Sequence, residues 1–318
     1  MSWFAPPQPI ETQVFTSLPE AFRDRRASAW SIANKGGQAI DSFLEGPCLA
    51  PDGTIYVVDI PFGRIFAIDP AGQWRLVVAY DGWPNGMKVA PDGQLIVADY
   101  RRGLLSVDPR SGATETILGA INSEGFKGLN DLQLLPDGSI LFTDQGQTGM
   151  QDPSGRLYRL WPDRRLDRII GNAASPNGVA VSREGTHAFL ALTRAAQIWR
   201  VPLDPSAQAG KTQVFAQLPG GLSGPDGLVV DGHGRLIVCD PGHGCAWILS
   251  PLGVPLYRVL SCAGRTMTNA VLLPDDETLL LTESETGQIL RARLPRDGGV
   301  ALEQRHPGTL SRDARRAG

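Results

Sequence analysis

One turn signal recurs six times along the chain: PDG at 51–53, 91–93 and 136–138, REG at 183–185, GHG at 232–234 and PDD at 274–276. Successive copies stand about 40–49 residues apart, the period of a four-stranded propeller blade. A β-rich run follows each turn: TIYVVD, QLIVAD, SILFTD, HAFLAL, RLIVCD and TLLLTE. After a short loop comes a third run: RIFAID, GLLSVD, RLYRLW, QIWRVP, CAWILS and QILRAR. A more polar fourth run closes most units, as in WRLVVAY, ATETILG and TQVFAQL. Helical periodicity is weak outside EAFRDRRASAW at 20–30. The chain therefore reads as all-β: a six-bladed β-propeller of four-stranded blades spanning about residues 40–295, with no internal domain boundary over residues 1–318.

Ring closure leaves its own trace. TQVFTSLP at 12–19 resembles TQVFAQLP at 212–219, the outer strand of the fifth unit, and the sixth unit lacks such a strand. The segment 12–18 is expected to pair with residues 288–294 and close the ring, removing an exposed sheet edge. Residues 1–39 then hold the closing strand and a linker that is part helix, and 304–318 form a frayed tail.

Aligning the units on their turns exposes a second pattern. Seven residues before each turn's middle residue stand Glu45, Asn85, Asn130, Asn177 and Asp226, and in the sixth unit Thr268 or Asn269. Asn269 is the better chemical match. A single PNG or PDG caps a turn. Six in register, each at the head of an innermost strand, face one another at one mouth of the central channel. Carboxylates and amides gathered there are costly to desolvate without a partner. A hard divalent cation supplies one, since calcium accepts six to eight oxygen ligands. The ring has no His or Cys, which argues against a zinc-type site.

The second strand of each unit runs back to the same mouth, so the segments after it are pocket candidates. They include Arg101, the loop Asp144–Gly155 with Gln145, Arg194 and His243. The two arginines suit a substrate anion, His243 suits an acid or base, and the long polar loop suits a lid. The Asp recurring at the second strand's end is read as a tie for the following loop, and Asp131 as an orienting partner of Asn130.

Composition limits the function classes. Of 318 residues, 37 are Gly and 25 Pro without low complexity, and the net charge is −3. There is no basic stripe for nucleic acid and no apolar run of about 20 residues for a membrane. The four Cys lack metal or redox spacing and read as small buried thiols. With no signal-like N-terminal run, the expected location is cytoplasmic.

LEGPCLAPDGTIYVVD, NDLQLLPDGSILFTD, SPNGVAVS, GPDGLVVDGHG and TNAVLLPDDETLLLTES resemble the senescence marker protein (regucalcin)/gluconolactonase family over roughly residues 40–295. The resemblance implies a six-bladed propeller with a divalent cation in its channel, calcium first among candidates that include magnesium, manganese and zinc. It implies Glu45, Asn130, Asn177 and Asp226 as metal ligands and Asp226 as acid/base. It also places Asn130 in the substrate pocket, joined there by Asn85, Asn269, Arg101, Gln145, Arg194 and His243 from the residue pattern. The expected activity is metal-dependent hydrolysis of a small-molecule lactone or cyclic ester. The alternatives are organophosphate or fluorophosphate hydrolysis at the same metal, or calcium binding without catalysis. The resemblance departs at Gly128, two residues before Asn130, where sugar lactonases of that family often carry Arg.

Overall fold

A computed structural model describes residues 6–203 and 210–296. Six sheets of four or five strands form the blades of a propeller. From the axis outwards, blade one contains Leu44–Leu49, Ile55–Asp59, Arg64–Ile68 and Trp74–Ala79. Blade two contains Pro84–Val89, Leu95–Asp99, Gly103–Val107 and Thr114–Leu118. Blades three and four begin with Leu129–Leu134 and Pro176–Val181, and blades five and six with Leu228–Val230 and Met267–Leu272.

The sequence explains this layout. Second strands such as IYVVD, LIVAD and LIVCD are buried along their whole length. Continuous apolar runs of this kind belong to strands covered on both faces. Their side chains interlock between neighbouring blades: Val58 and Ile65 of blade one pack with Met87, Val97 and Leu105 of blade two. Fourth strands such as TETIL carry only exposed and half-buried residues and form the rim.

The ring closes as the sequence predicts. Gln13–Ser17 lies antiparallel against Gln288–Arg293, with Gln13 opposite Arg291 and Ser17 opposite Gln288. One strand was not anticipated. Gln8–Glu11 pairs in parallel with Pro255–Leu260 and adds a fifth strand to blade five. Thr12 marks the crossing from one blade to the next: its hydroxyl donates to Leu260 O at 2.8 Å and accepts from Cys262 N at 2.9 Å. The N-terminal segment thus clamps two blades. QPIE is short, polar and carries Pro9, so nothing in it announces a strand.

The linker is helical only in part. A 3₁₀ turn covers Glu20–Phe22, and the α-helix runs Ala29–Asn34, later than EAFRDRRASAW suggests, from a capping box made by Ser28 and Ser31. Between them, Arg23 bonds Asp41 and Thr286 O, each at 2.9 Å. A small hairpin, Ala120–Ile121 with Glu124–Gly125, was also unforeseen. The tail at 304–318 lies outside the described residues. Cys48, Cys239 and Cys245 are buried free thiols, whereas Cys262 is exposed. Among the described residues, no helix is long and apolar enough to cross a membrane.

Candidate metal and active site

Each blade carries one extra residue on its innermost strand at the ring position. In blade two, Pro84 faces Asp99 and Met87 faces Val97. Blades one, three, four and six shift register at the same place. In blade five Asp226 N donates to Cys239 O and Cys239 N donates to Gly227 O, so two residues face one. A bulge kinks the strand and re-aims its side chains. Here six bulges present six polar side chains at one level of the channel. Glycines let the strand heads approach: a Cβ on Gly178 would collide with Asp226 O, and one on Gly227 with the Asn269 amide.

The ambiguity in blade six is resolved by contacts. Thr268 is buried in the seam, donating to Leu44 O at 2.9 Å. Asn269 joins the ring: its amide nitrogen donates to Glu45 Oε2 at 2.9 Å, and its oxygen accepts from Ala270 N. Glu45 Oε2 also accepts from Gly46 N at 2.6 Å.

The amides of Asn130 and Asn177 are oriented from behind. Asn130 Nδ2 donates to Gln145 Oε1 at 3.0 Å, and Gln145 donates onward to Ser175 Oγ at 3.0 Å. Asn177 Nδ2 donates to Thr193 Oγ1 at 3.1 Å, and Thr193 donates to Pro225 O at 2.8 Å. No described residue donates to either amide oxygen, although Asn130 and Asn177 are only 6% and 7% exposed. The expectation that Asp131 orients Asn130 is not met. Its carboxylate accepts instead from Leu132 N at 2.8 Å and Val179 N at 3.3 Å, reaching into blade four.

Electrostatics set this ring apart. Burial pushes Glu45 up to about 7, and Asp131 adds to that rise. Asp226 is held well above the usual carboxylate range by burial and by the charges of Glu45 and Asp131, with the Asn177 amide pulling the other way. None of the three forms an ion pair with a described Arg, Lys or His. Among the described residues no group of three or more His, Cys, Asp or Glu side chains is gathered to hold a metal. A cation at this ring would therefore depend on amide oxygens beside the two carboxylates. The donor chemistry fits a hard divalent ion: two repelling carboxylates and two unbonded amide oxygens, with no soft ligand.

The remaining candidates are distributed around the mouth. Asn85 is half-buried on the ring. Arg101 pairs with Asp81 at 2.6 Å, its guanidinium 5.6 Å from the Trp83 ring centre. Arg194 is exposed on the turn Thr193–Ala195. His243 Nδ1 lies 3.1 Å from Asp240 Oδ2, whose other contact is Trp247 Nε1 at 2.9 Å. The long loop is tied to its surroundings by Gln145, Thr148 and Gln147, the last donating to Tyr100 OH at 3.0 Å. At Gly128 a Cβ would run into the Tyr100 ring, so that ring fills the space beside the backbone there. Thr193 meets Asn177 within blade four and Pro225 in blade five, while Ser175 and Tyr100 meet Gln145 and Gln147 across a blade boundary, so none of these contacts carries a sequence signal.

Cavities also lie away from the ring. One of about 1360 Å³ opens on the opposite face, between Phe15 and turn residues such as Pro51, Pro91 and Pro136. Another of about 520 Å³ follows the channel axis between the innermost strands. The first is bounded mainly by turns and brings no ring residue together, so the ring mouth remains the better chemical candidate.

Residues 43–285 match the family described as the SMP-30/Gluconolactonase/LRE-like region, and the chain belongs to that family. A gluconolactonase of Zymomonas mobilis is 30% identical over 263 residues, covering 76% of this chain and 70% of the relative. Diisopropyl-fluorophosphatase of Loligo vulgaris is 25% identical over 283 residues, covering 80% of this chain and 90% of the relative. Among solved structures, a calcium-binding regucalcin from Agrobacterium tumefaciens superposes with a TM-score of 0.70 at 20% identity, covering 92% of this chain and 98% of that one.

Proposed function

We propose that this protein is a divalent-metal-dependent hydrolase of lactones or related cyclic esters. The observation that carries the reading is the ring itself. Among the described residues, Glu45 and Asp226 form no ion pair, and the oxygens of the buried Asn130 and Asn177 amides accept no hydrogen bond. The gluconolactonase relative supports the substrate class. The calcium-binding neighbour and the fluorophosphatase relative support a divalent ion, with calcium preferred.

Glu45, Asn130, Asn177 and Asp226 would hold the ion. When bound, it supplies Lewis-acid polarisation of the substrate carbonyl. Asp226 serves as general base, removing a proton from the attacking water. A carboxylate beside a cation is a weak base, so its contribution rests on placement more than on basicity. Gln145 and Thr193 keep the two amides from rotating. Tyr100, seated beside Gly128, gives that side of the mouth an aromatic surface, which suits a lactone with fewer hydroxyls than a sugar lactone.

The test is a lactone panel assayed with calcium, magnesium, manganese or zinc, with Asp226→Asn alongside. The variant is expected to stay folded and lose at least ~100-fold in kcat/KM, the scale of lost acid–base help. Near-full activity in Asp226→Asn would remove it from the mechanism. The fluorophosphatase relative also favours a second reading, organophosphate hydrolysis at the same ring. Turnover of fluorophosphates but not lactones would select it.

A further inference from the structure

A second ring lies three residues along the innermost strands from the first, or two residues beyond Asn269 in blade six. It consists of Cys48, Lys88, Gln133, Ala180, Val229 and Val271, and all six line the axial channel of about 520 Å³. The alternation of a strand explains the arrangement. The preceding residues in blades two, three and four, Met87, Leu132 and Val179, are buried between blades, so their successors turn to the axis. Lys88 is the single charged residue lining this channel among those described. No described residue forms an ion pair or hydrogen bond with its ammonium.

We infer that Lys88 sets the charge selectivity of the proposed cation site, reducing the net charge of Glu45, Asp131 and Asp226 from −3 to −2, the value a divalent ion neutralises. The inference rests on the metal-binding reading above. Its physical basis is charge placement. Three carboxylates occupy the first ring or its underside, and no Arg or Lys pairs with them directly. Lys88 is the cation one tier along the axis, on the same strand as Asn85. Burial holds the neighbouring Cys48 thiol up at about 12, so that residue adds no charge to the count. A lysine facing a cation site weakens binding of the ion, which is a poor arrangement for affinity alone. It is a good one for excluding ions of higher charge, whose repulsion by the ammonium is greater.

Over the roughly 8–10 Å spanned by three strand residues, at an effective dielectric of about 20–40, one unit charge changes divalent affinity by about ten-fold or more. The effect on a trivalent ion is about half as large again in free energy, because Coulomb energy scales with ion charge. The experiment titrates full-length protein with calcium by calorimetry and with terbium by sensitised luminescence, for wild type, Lys88→Arg, Lys88→Met and Lys88→Gln. Circular dichroism reports folding, and Lys88→Gln substitutes if Lys88→Met fails to fold. We expect the neutral variants to bind calcium about ten-fold tighter and to shift preference towards terbium by about three-fold. Lys88→Arg should match wild type, and adding Asp131→Asn to the neutral variant should move the preference back. Calcium and terbium affinities unchanged within two-fold in the neutral variants would overturn the inference while leaving the metal site standing. Absence of binding of either ion by wild type would remove the metal-binding reading and this inference with it.

Discussion

Two sets of carboxylates recur around this propeller, and they are treated in opposite ways. One stands at the ends of the second strands: Asp59, Asp99, Asp144, Asp240 and Glu283, all at most 1% exposed. All but Asp240 are satisfied locally; Asp240 Oδ2 meets Trp247 Nε1 and His243 Nδ1, while its Oδ1 has no hydrogen-bond partner among the described residues. Asp59 accepts from Phe43 N at 2.7 Å and from Arg64, and Asp144 from Gly128 N and Arg156. Asp99 receives two backbone N–H groups and the Tyr80 hydroxyl, and Glu283 receives three backbone N–H groups and the Thr286 hydroxyl. The other set, Glu45 and Asp226 on the first ring, is close to the first along the strand ladder but has amide neighbours and, among the described residues, no ion pair. Glu45 is as deeply set as the first group and Asp226 is half-buried, so burial does not by itself mark function. What differs is whether the charge is answered by the protein. A carboxylate closed by an arginine ties down a loop, while one left open to repel a second carboxylate invites a cation.

The largest expected effect comes from opening a closed carboxylate. Asp59→Ala strands the Arg64 guanidinium and should cost about 3–5 kcal/mol of stability, the range for breaking a buried pair. Chemical denaturation would measure the loss, and calcium affinity of the folded fraction should stay unchanged. A loss of calcium binding without a loss of stability would reverse the roles assigned to the two sets.

Next comes the open set. Calcium at 100 times its Kd should stabilise the native protein by about 2.7 kcal/mol relative to chelated protein. In Glu45→Gln this gain should largely vanish, as followed by the shift in Tm. Equal stabilisation of both proteins would place the ion elsewhere.

The contrast also has a pH signature. Glu45 is raised in the native state from its ordinary value to about 7, and Asp226 is raised as well. A raised acid binds more protons when folded than unfolded, so its stabilising contribution is full below its unfolded value and lost as pH rises through about 7. Bound calcium holds both carboxylates ionised and removes that loss. The gap in Tm between calcium-loaded and chelated protein should therefore widen from pH 5 to pH 8. A gap that narrows over this interval contradicts the assignment.

The smallest effect is expected from Thr193→Val. It removes the hydroxyl that receives the Asn177 amide and should weaken calcium binding about ten-fold, the lower range for a partner that orients a ligand. Calorimetry on wild type and variant would show it, with Tm of the chelated proteins nearly equal.

Much of this was legible in the sequence, and the reasons are local. The turn triplets mark the blades because tight turns need particular residues. The count back from each turn finds Glu45, Asn85, Asn130, Asn177 and Asp226 because strand length is constant. Only blade six broke the count, and there the contacts of Thr268 and Asn269 decided. The TQVF echo found the closing strand. The strand Gln8–Glu11 stayed hidden because its only sheet neighbour lies some 250 positions away, at Tyr257–Leu260. Asp131 misled for a related reason: adjacency to Asn130 suggested a bond, whereas the chain turns its carboxylate into the next blade.

The sequence by itself determined the number of blades, the strand that closes them, and the level at which six polar residues meet. These follow from periodicity and turn chemistry, which act over a few residues. Only the tertiary structure decided which carboxylate meets which partner. Glu45 bonds Asn269 across 224 positions, and Thr193 holds Asn177 while anchoring to Pro225. Hydrogen bonds and unscreened charges act over a few ångströms, so these pairings are fixed only when strands pair, neighbouring blades pack and, for Glu45 and Asn269, closure brings the first blade against the last.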